Sequence, residues 1–165
     1  MSRQPSGFGE ELILPMRIRT GRPDERGMLE ALQLRASIES PVYRNAMLQH
    51  PDSIYLASEL LVEGRVRVAE ENDSLIGFCV LLAPVEGAAE LDGLFVDPRS
   101  WRRGVGAALM RDAFLVARAE KALRVEVTAN PLATGFYEKL GFTHLHETPT
   151  RFGPGVRMSY QLSVL

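Results

Sequence analysis

Between Arg65 and Ala129 the chain changes its hydrophobic period in a fixed order, and that order limits the fold more than any other feature. "RVRVAE" alternates polar and apolar residues as a half-buried strand does. The turn "ENDS" leads into "SLIGFCVLLA", which is apolar almost throughout, so the two segments read as a hairpin with one buried strand. "AAELDGLFV" is the next strand, and Gly93 inside it marks a bulge or a close approach by another group. From about Gly104 to Lys121, Val105, Leu109, Ala113 and Val116 recur at helical spacing. "LRVEVTA" then returns to strand character. A meander followed by one helical crossover builds a single sheet with helices, an α+β or mixed α/β architecture.

The flanks extend that sheet. "MRIRT", Met16–Thr20, reads as a short strand. Pro23 suits a first helical turn, Asp24 and Glu25 suit its positive end, and Met28, Leu29, Leu32 and Ala36 follow at helical spacing. "SPVYRNAMLQHP" predicts a second helix broken at Pro51, and "IYLASELLVEG" is helical or irregular. "LATGFYEKL" predicts a short helix ended by Gly141. "FTHLHE" and "GVRMSYQLSV" predict a last hairpin joined by the loop "TPTRFGPG". The 165 residues suit one domain with a sizeable core, and residues 1–15 read as a flexible lead-in.

Three arginines and two glycines crowd the segment between the third of these strands and its helix: Arg99, Arg102, Arg103, Gly104 and Gly106. With a net charge of −2, nothing global favours nucleic acid or an anionic membrane, so the cluster needs a local reason. Unpaired N–H groups at a helix start, glycines that admit close approach and arginine side chains together make an anion site; the bland alternative is an exposed basic loop. A P-loop is excluded, because no Gly-Lys-Ser/Thr follows. A dinucleotide fingerprint is excluded too, since Leu109 stands where its third glycine belongs and "TANP" where its acidic residue belongs. The single Cys79 rules out an internal disulfide and lies in an apolar run, as a core residue would. His50, His144 and His146 show no metal-ligand spacing, so no metal is expected. No apolar stretch is long enough to span a membrane and no secretory signal is seen at the N-terminus, so a cytoplasmic location is expected.

"FVDPRSWRRGVGAALM" resembles the acyl-CoA signature of the GNAT acyltransferase superfamily, a Gln/Arg-x-x-Gly-x-Gly/Ala loop after the fourth strand. "NPLATGFYEKLGF", Asn130–Phe142, resembles the family's second signature, and the likeness extends in order and spacing over roughly residues 16–163. Trp101 stands where the family's Gln/Arg usually sits; Arg102 or Arg103 could carry that side-chain role. The resemblance implies a GNAT fold, a central, mostly antiparallel sheet splayed between strands four and five and flanked by helices. It implies acetyl-CoA as co-substrate in the opening. The pantetheine arm would pair with Leu94, Phe95 and Val96, and the pyrophosphate would lie on Arg102, Arg103, Gly104, Val105, Gly106 and Ala107. Tyr137 would stand beside the coenzyme and give the departing thiolate its proton; its alternative role is packing. Asn130 would meet the pantetheine or order strand five, unless it is only a turn residue before Pro131.

Glu90 stands at the spacing where some family members place a catalytic glutamate, and Asp92 shares its face by period two. A water chain is the alternative base. The acceptor pocket would be walled by the first helices, about Pro23–Glu63, and the loop at about Thr148–Gly155, with Tyr43, Tyr55, Arg151 and Phe152 as lining residues. The expected activity is acetyl transfer to the primary amine of a small molecule, with a homodimer left open. Three other readings stay in play: a protein lysine or N-terminal acetyltransferase, a catalytically silent acyl-CoA-binding sensor, and a generic nucleotide-binding protein.

Overall fold

A computed structural model describes residues 15–163. The expected lead-in lies outside the described residues except for Pro15. One seven-stranded sheet runs in the order β1-β2-β3-β4-β5-β7-β6. Its strands are β1 Arg17–Thr20, β2 Val66–Glu71, β3 Ser74–Leu81, β4 Ala88–Val96, β5 Arg124–Ala129, β6 Thr143–Thr150 and β7 Gly153–Gln161. Every pairing is antiparallel except β4 with β5. Between β1 and β2 lie α1 Arg26–Ile38, α2 Arg44–Gln49 and α3 Ser58–Val62; α4, Val105–Ala119, crosses from β4 to β5, and α5, Thr134–Leu140, follows β5. Among the described residues no helix is long and apolar enough to cross a membrane.

The period of the sequence explains the layers. On one face α4 and α5 cover Cys79, Leu81, Ala89, Leu91, Val125, Val127 and Met158. Leu29 and Leu32 of α1, with Leu56 and Leu61, cover Val66, Val68, Phe78 and Val80 on the other face. Asn72 and Asp73 both take positive φ, +51° and +62°, in the tight turn that joins β2 to β3. Gly141 ends α5 at φ +106°, as its place in the sequence predicts.

Two details differ from expectation. The last hairpin is longer, because β6 and β7 stay paired, past a bulge at Leu145, as far as Thr150 and Gly153, which leaves only Arg151 and Phe152 as the loop. The Pro, Gly and Thr content of "TPTRFGPG" signals a loop, but Pro149 lies on the edge strand and Pro154 beyond the end of β5, positions where a sheet tolerates proline. The second helix is short, since residues 40–43 form a bridging loop before Arg44.

β4 and β5 pair only from Ala88 opposite Arg124 to Leu91 opposite Val127. Beyond that, β4 continues with β3, β5 continues with β7, and the sheet parts between them. A bulge starts the parting: Gly93 opposes Val80 but Leu91 opposes Leu81, so Asp92 is the extra residue. This is the irregularity that Gly93 signals in the sequence, and an added Cβ there would lie 2.7 Å from the Phe95 ring.

Candidate active site

The opening has a strand edge on one side. The Asp97 N–H bonds the Ile76 carbonyl at 2.9 Å, and the antiparallel ladder alternates from there. Phe95 therefore faces β3, while the N–H and C=O groups of Leu94 and Val96 point into the opening, where β5 no longer pairs with them.

At the end of β4 the loop of arginines is shaped by carboxylates. Asp97, 2% exposed, caps the turn Pro98–Ser100 by accepting the Arg99 N–H at 3.0 Å. Its oxygens also accept from the Arg99 guanidinium at 3.1 and 2.9 Å and from Arg35 of α1 at 3.0 Å. The Arg99 side chain holds the Asp97 carboxyl well below the usual range, against the opposing effect of burial and with help from Arg35. Arg103 reaches Glu71 at the end of β2, at 2.7 and 2.8 Å. Two of the three loop arginines thus have an acidic partner. Arg102 takes φ +62° and has no hydrogen-bond or ion-pair partner among the described residues.

The two glycines have different reasons. Gly104 takes φ +79° with open space where a Cβ would stand, so its backbone conformation requires glycine. An added Cβ at Gly106 would come within 3.2 Å of the Phe136 ring, so that glycine lets α5 close on the first turn of α4. The first intrahelical N–H bond belongs to Ala108, which donates to Gly104, leaving Val105, Gly106 and Ala107 at the open positive end of α4.

Tyr137 enters from α5. Its ring is 6% exposed and packs edge-on to Phe136 and Phe142, with centroids 5.0 and 5.2 Å away. Its hydroxyl has no described hydrogen-bond partner; among the described residues the only fully enclosed, unbonded side-chain polar atom is Arg26 Nε, so the Tyr137 oxygen keeps an outlet. Burial pushes the Tyr137 phenol well above its ordinary range, with a smaller push from Cys79. Cys79 is a core residue, as its apolar run predicts, and burial raises its thiol to about 12.

The two carboxylates of β4 are unequal. Both Glu90 oxygens accept from Arg157 of β7, at 2.7 and 2.6 Å, and Arg157 also reaches Glu126 and Thr128 of β5 at 2.8 and 3.1 Å. Asp92, on the bulge, is exposed and has no ion-pair partner among the described residues. Asn130 spends both ends of its amide: the oxygen accepts from Leu132 at 3.0 Å, and the nitrogen donates to Ser40 Oγ at 2.9 Å.

A strap crosses the top of the opening. Arg35 ties α1 to the end of β4, Ser40 meets Asn130 at the end of β5, and the Tyr43 hydroxyl donates to the Pro154 carbonyl at 3.2 Å in β7. Tyr43 is thus tied to β7 at the edge of the opening, while the Tyr55 ring lies under the Arg26 guanidinium, nine residues before Arg35 on the same helix. Arg35, Asp97 and Arg157 escape a reading of the sequence. An Asp before Pro is a cap signal that could have marked Asp97; Arg35 and Arg157 have partners too distant along the chain to signal themselves.

A family model described as the acetyltransferase (GNAT) domain matches residues 62–144. Among solved structures, the chain resembles the PaiA N-acetyltransferase of Thermoplasma acidophilum in complex with coenzyme A, with TM-score 0.72 and 18% identity, covering 90% of this chain and 99% of that one. It also resembles a GCN5-related N-acetyltransferase of Rhodopseudomonas palustris, with TM-score 0.76, 22% identity and coverage of 93% and 100%. YncA of Salmonella typhimurium with its cofactor acetyl-CoA matches at TM-score 0.71 and 17% identity, over 92% and 96% of the two chains.

Proposed function

The chain belongs to the GNAT acetyltransferase family, and from that premise we propose that it moves an acetyl group from acetyl-CoA to the primary amine of a small molecule. The observation that carries the reading is the parted sheet, with the N–H and C=O groups of Leu94 and Val96 facing the gap beside the open start of α4. A pantetheine arm contains two amides and can pair with such an edge as an added strand does. Arg102, Gly104 and the N–H groups of Val105, Gly106 and Ala107 suit the pyrophosphate at the helix start. The neighbours from T. acidophilum and Salmonella, solved with CoA and acetyl-CoA, support the choice of coenzyme.

In the transfer, the amine nitrogen attacks the thioester carbonyl carbon, the carbon–sulfur bond breaks, and sulfur leaves as thiolate. A β4 N–H facing the gap stabilises the charge that develops on the carbonyl oxygen. Tyr137 gives its proton to the sulfur. The amine proton goes to Asp92, directly or through water; its oxygens are uncommitted, whereas Arg157 holds both oxygens of Glu90. Glu90 acts with Arg157 as part of the site's fixed charge. The strap from Arg35 through Ser40 to Tyr43 favours a small acceptor over a long peptide.

A panel of amines, with free thiol release from acetyl-CoA followed spectroscopically, tests the proposal. Turnover with small primary amines supports it. Turnover only with protein or peptide amines corrects the acceptor class, and no turnover with any amine supports the silent coenzyme-binding reading.

A further inference from the structure

Trp101 is the chain's single tryptophan, and it uses one of the backbone groups that face the gap. Its indole Nε1–H donates to the Val96 carbonyl at 2.8 Å. By the alternation of the β3–β4 ladder, that carbonyl points away from β3 and toward the missing strand. The indole therefore stands at the edge as the amide of an added strand would. The ring is 48% exposed, and its residue has ordinary extended backbone angles, φ −64° and ψ 153°. A side-chain rotation alone can release the contact, with no change in the turn that Asp97 holds.

We propose that Trp101 competes with the pantetheine arm of the coenzyme for the Val96 carbonyl, so that the coenzyme enters by exchanging the indole N–H for an amide N–H of its own. This rests on the acetyl-CoA reading above. An extended chain with two amides needs the strand's carbonyls as well as its N–H groups. Val96 supplies the outermost of these carbonyls, nearest the helix start where a pyrophosphate binds. The indole bond is thus a tax on coenzyme affinity, set by the fraction of molecules in which it is closed.

The test measures affinity and indole emission together. A net hydrogen bond of ordinary strength closes the indole contact most of the time, so Trp101→Phe, which keeps a ring but has no donor, should bind CoA about threefold to tenfold more tightly by calorimetry. Because all tryptophan emission comes from residue 101, displacement into water should shift the emission of the unmodified protein to the red. The shift should appear with CoA and with 4′-phosphopantetheine, which carry the arm, and not with adenosine 3′,5′-bisphosphate, which lacks it. CoA binding with no emission shift, or a Trp101→Phe variant that binds no more tightly, overturns the competition and leaves the coenzyme reading standing. An equal shift with the nucleotide overturns it too, since the indole would then be answering the adenosine. No CoA binding by the unmodified protein overturns both.

Discussion

Replacing Tyr137 by phenylalanine separates a proton donor from a packing residue. The ring contacts to Phe136 and Phe142 survive, and the lost oxygen has no described protein partner, so stability should change by less than about 0.5 kcal/mol. General acid help is worth about a hundredfold to ten-thousandfold. Burial raises the Tyr137 phenol above its ordinary range, and it then gives its proton uphill to the thiolate, since a thiol is a stronger acid than a phenol so raised. That places the loss near the low end, about a hundredfold in kcat, or roughly 2.7 kcal/mol of transition-state stabilisation. The raised phenol also stays protonated through pH 10, so ionisation of Tyr137 should produce no alkaline fall in rate up to that point. Initial rates at saturating acetyl-CoA and acceptor, followed by thiol release, measure the loss, and calorimetry should show unchanged CoA affinity. Full activity in Tyr137→Phe would refute the donor role and leave the residue as packing. A loss confined to coenzyme affinity would refute it as well.

Asp97→Asn should cost about 1–3 kcal/mol at pH 7, because a buried carboxylate loses its charge while both of its guanidinium partners remain. The native Asp97 carboxyl is held low, so the unfolded chain binds the proton first as pH falls. Its contribution is present above the unfolded pKa near 4 and is lost below it, so the difference in Tm between the two proteins should shrink between about pH 5 and pH 2; a constant difference would show that the carboxylate's charge does not hold the loop. Gly106→Val should lower Tm and CoA affinity together, since even its Cβ would press on Phe136 at 3.2 Å. Normal values of both would mean that α5 does not close on that turn.

The legible part of the fold is the part written in short-range pattern. β4 spans Ala88–Val96 as the run "AAELDGLFV" predicts, its bulge falls beside Gly93, and α4 follows the helical spacing that begins at Val105. The parting of β4 from β5 is legible only through family resemblance, because strand separation leaves no local periodicity. What the sequence hides is pairing across distance. Arg103 and Glu71 lie 32 residues apart, Arg35 and Asp97 62, and Arg157 and Glu90 67. A loop rich in arginine reads as a row of phosphate ligands until Glu71, 32 residues away, is seen to hold Arg103 and the neighbouring Asp97 to hold Arg99. Gly106 misleads in the same way, since a glycine near a helix start signals ligand approach and helix packing equally. The last hairpin differs from its sequence signal because Pro, Gly and Thr mark loops by composition, while strand pairing continues past them.

Bound as proposed, acetyl-CoA completes the edge of β4 and rests on the start of α4. Residue-resolved amide hydrogen exchange with and without saturating acetyl-CoA tests it most directly. Exchange should slow at the Leu94 and Val96 amides, which face the gap, and at Val105, Gly106 and Ala107, with little change in β1 or β6. Acetyl-CoA that binds and leaves those amides exchanging as before would contradict it.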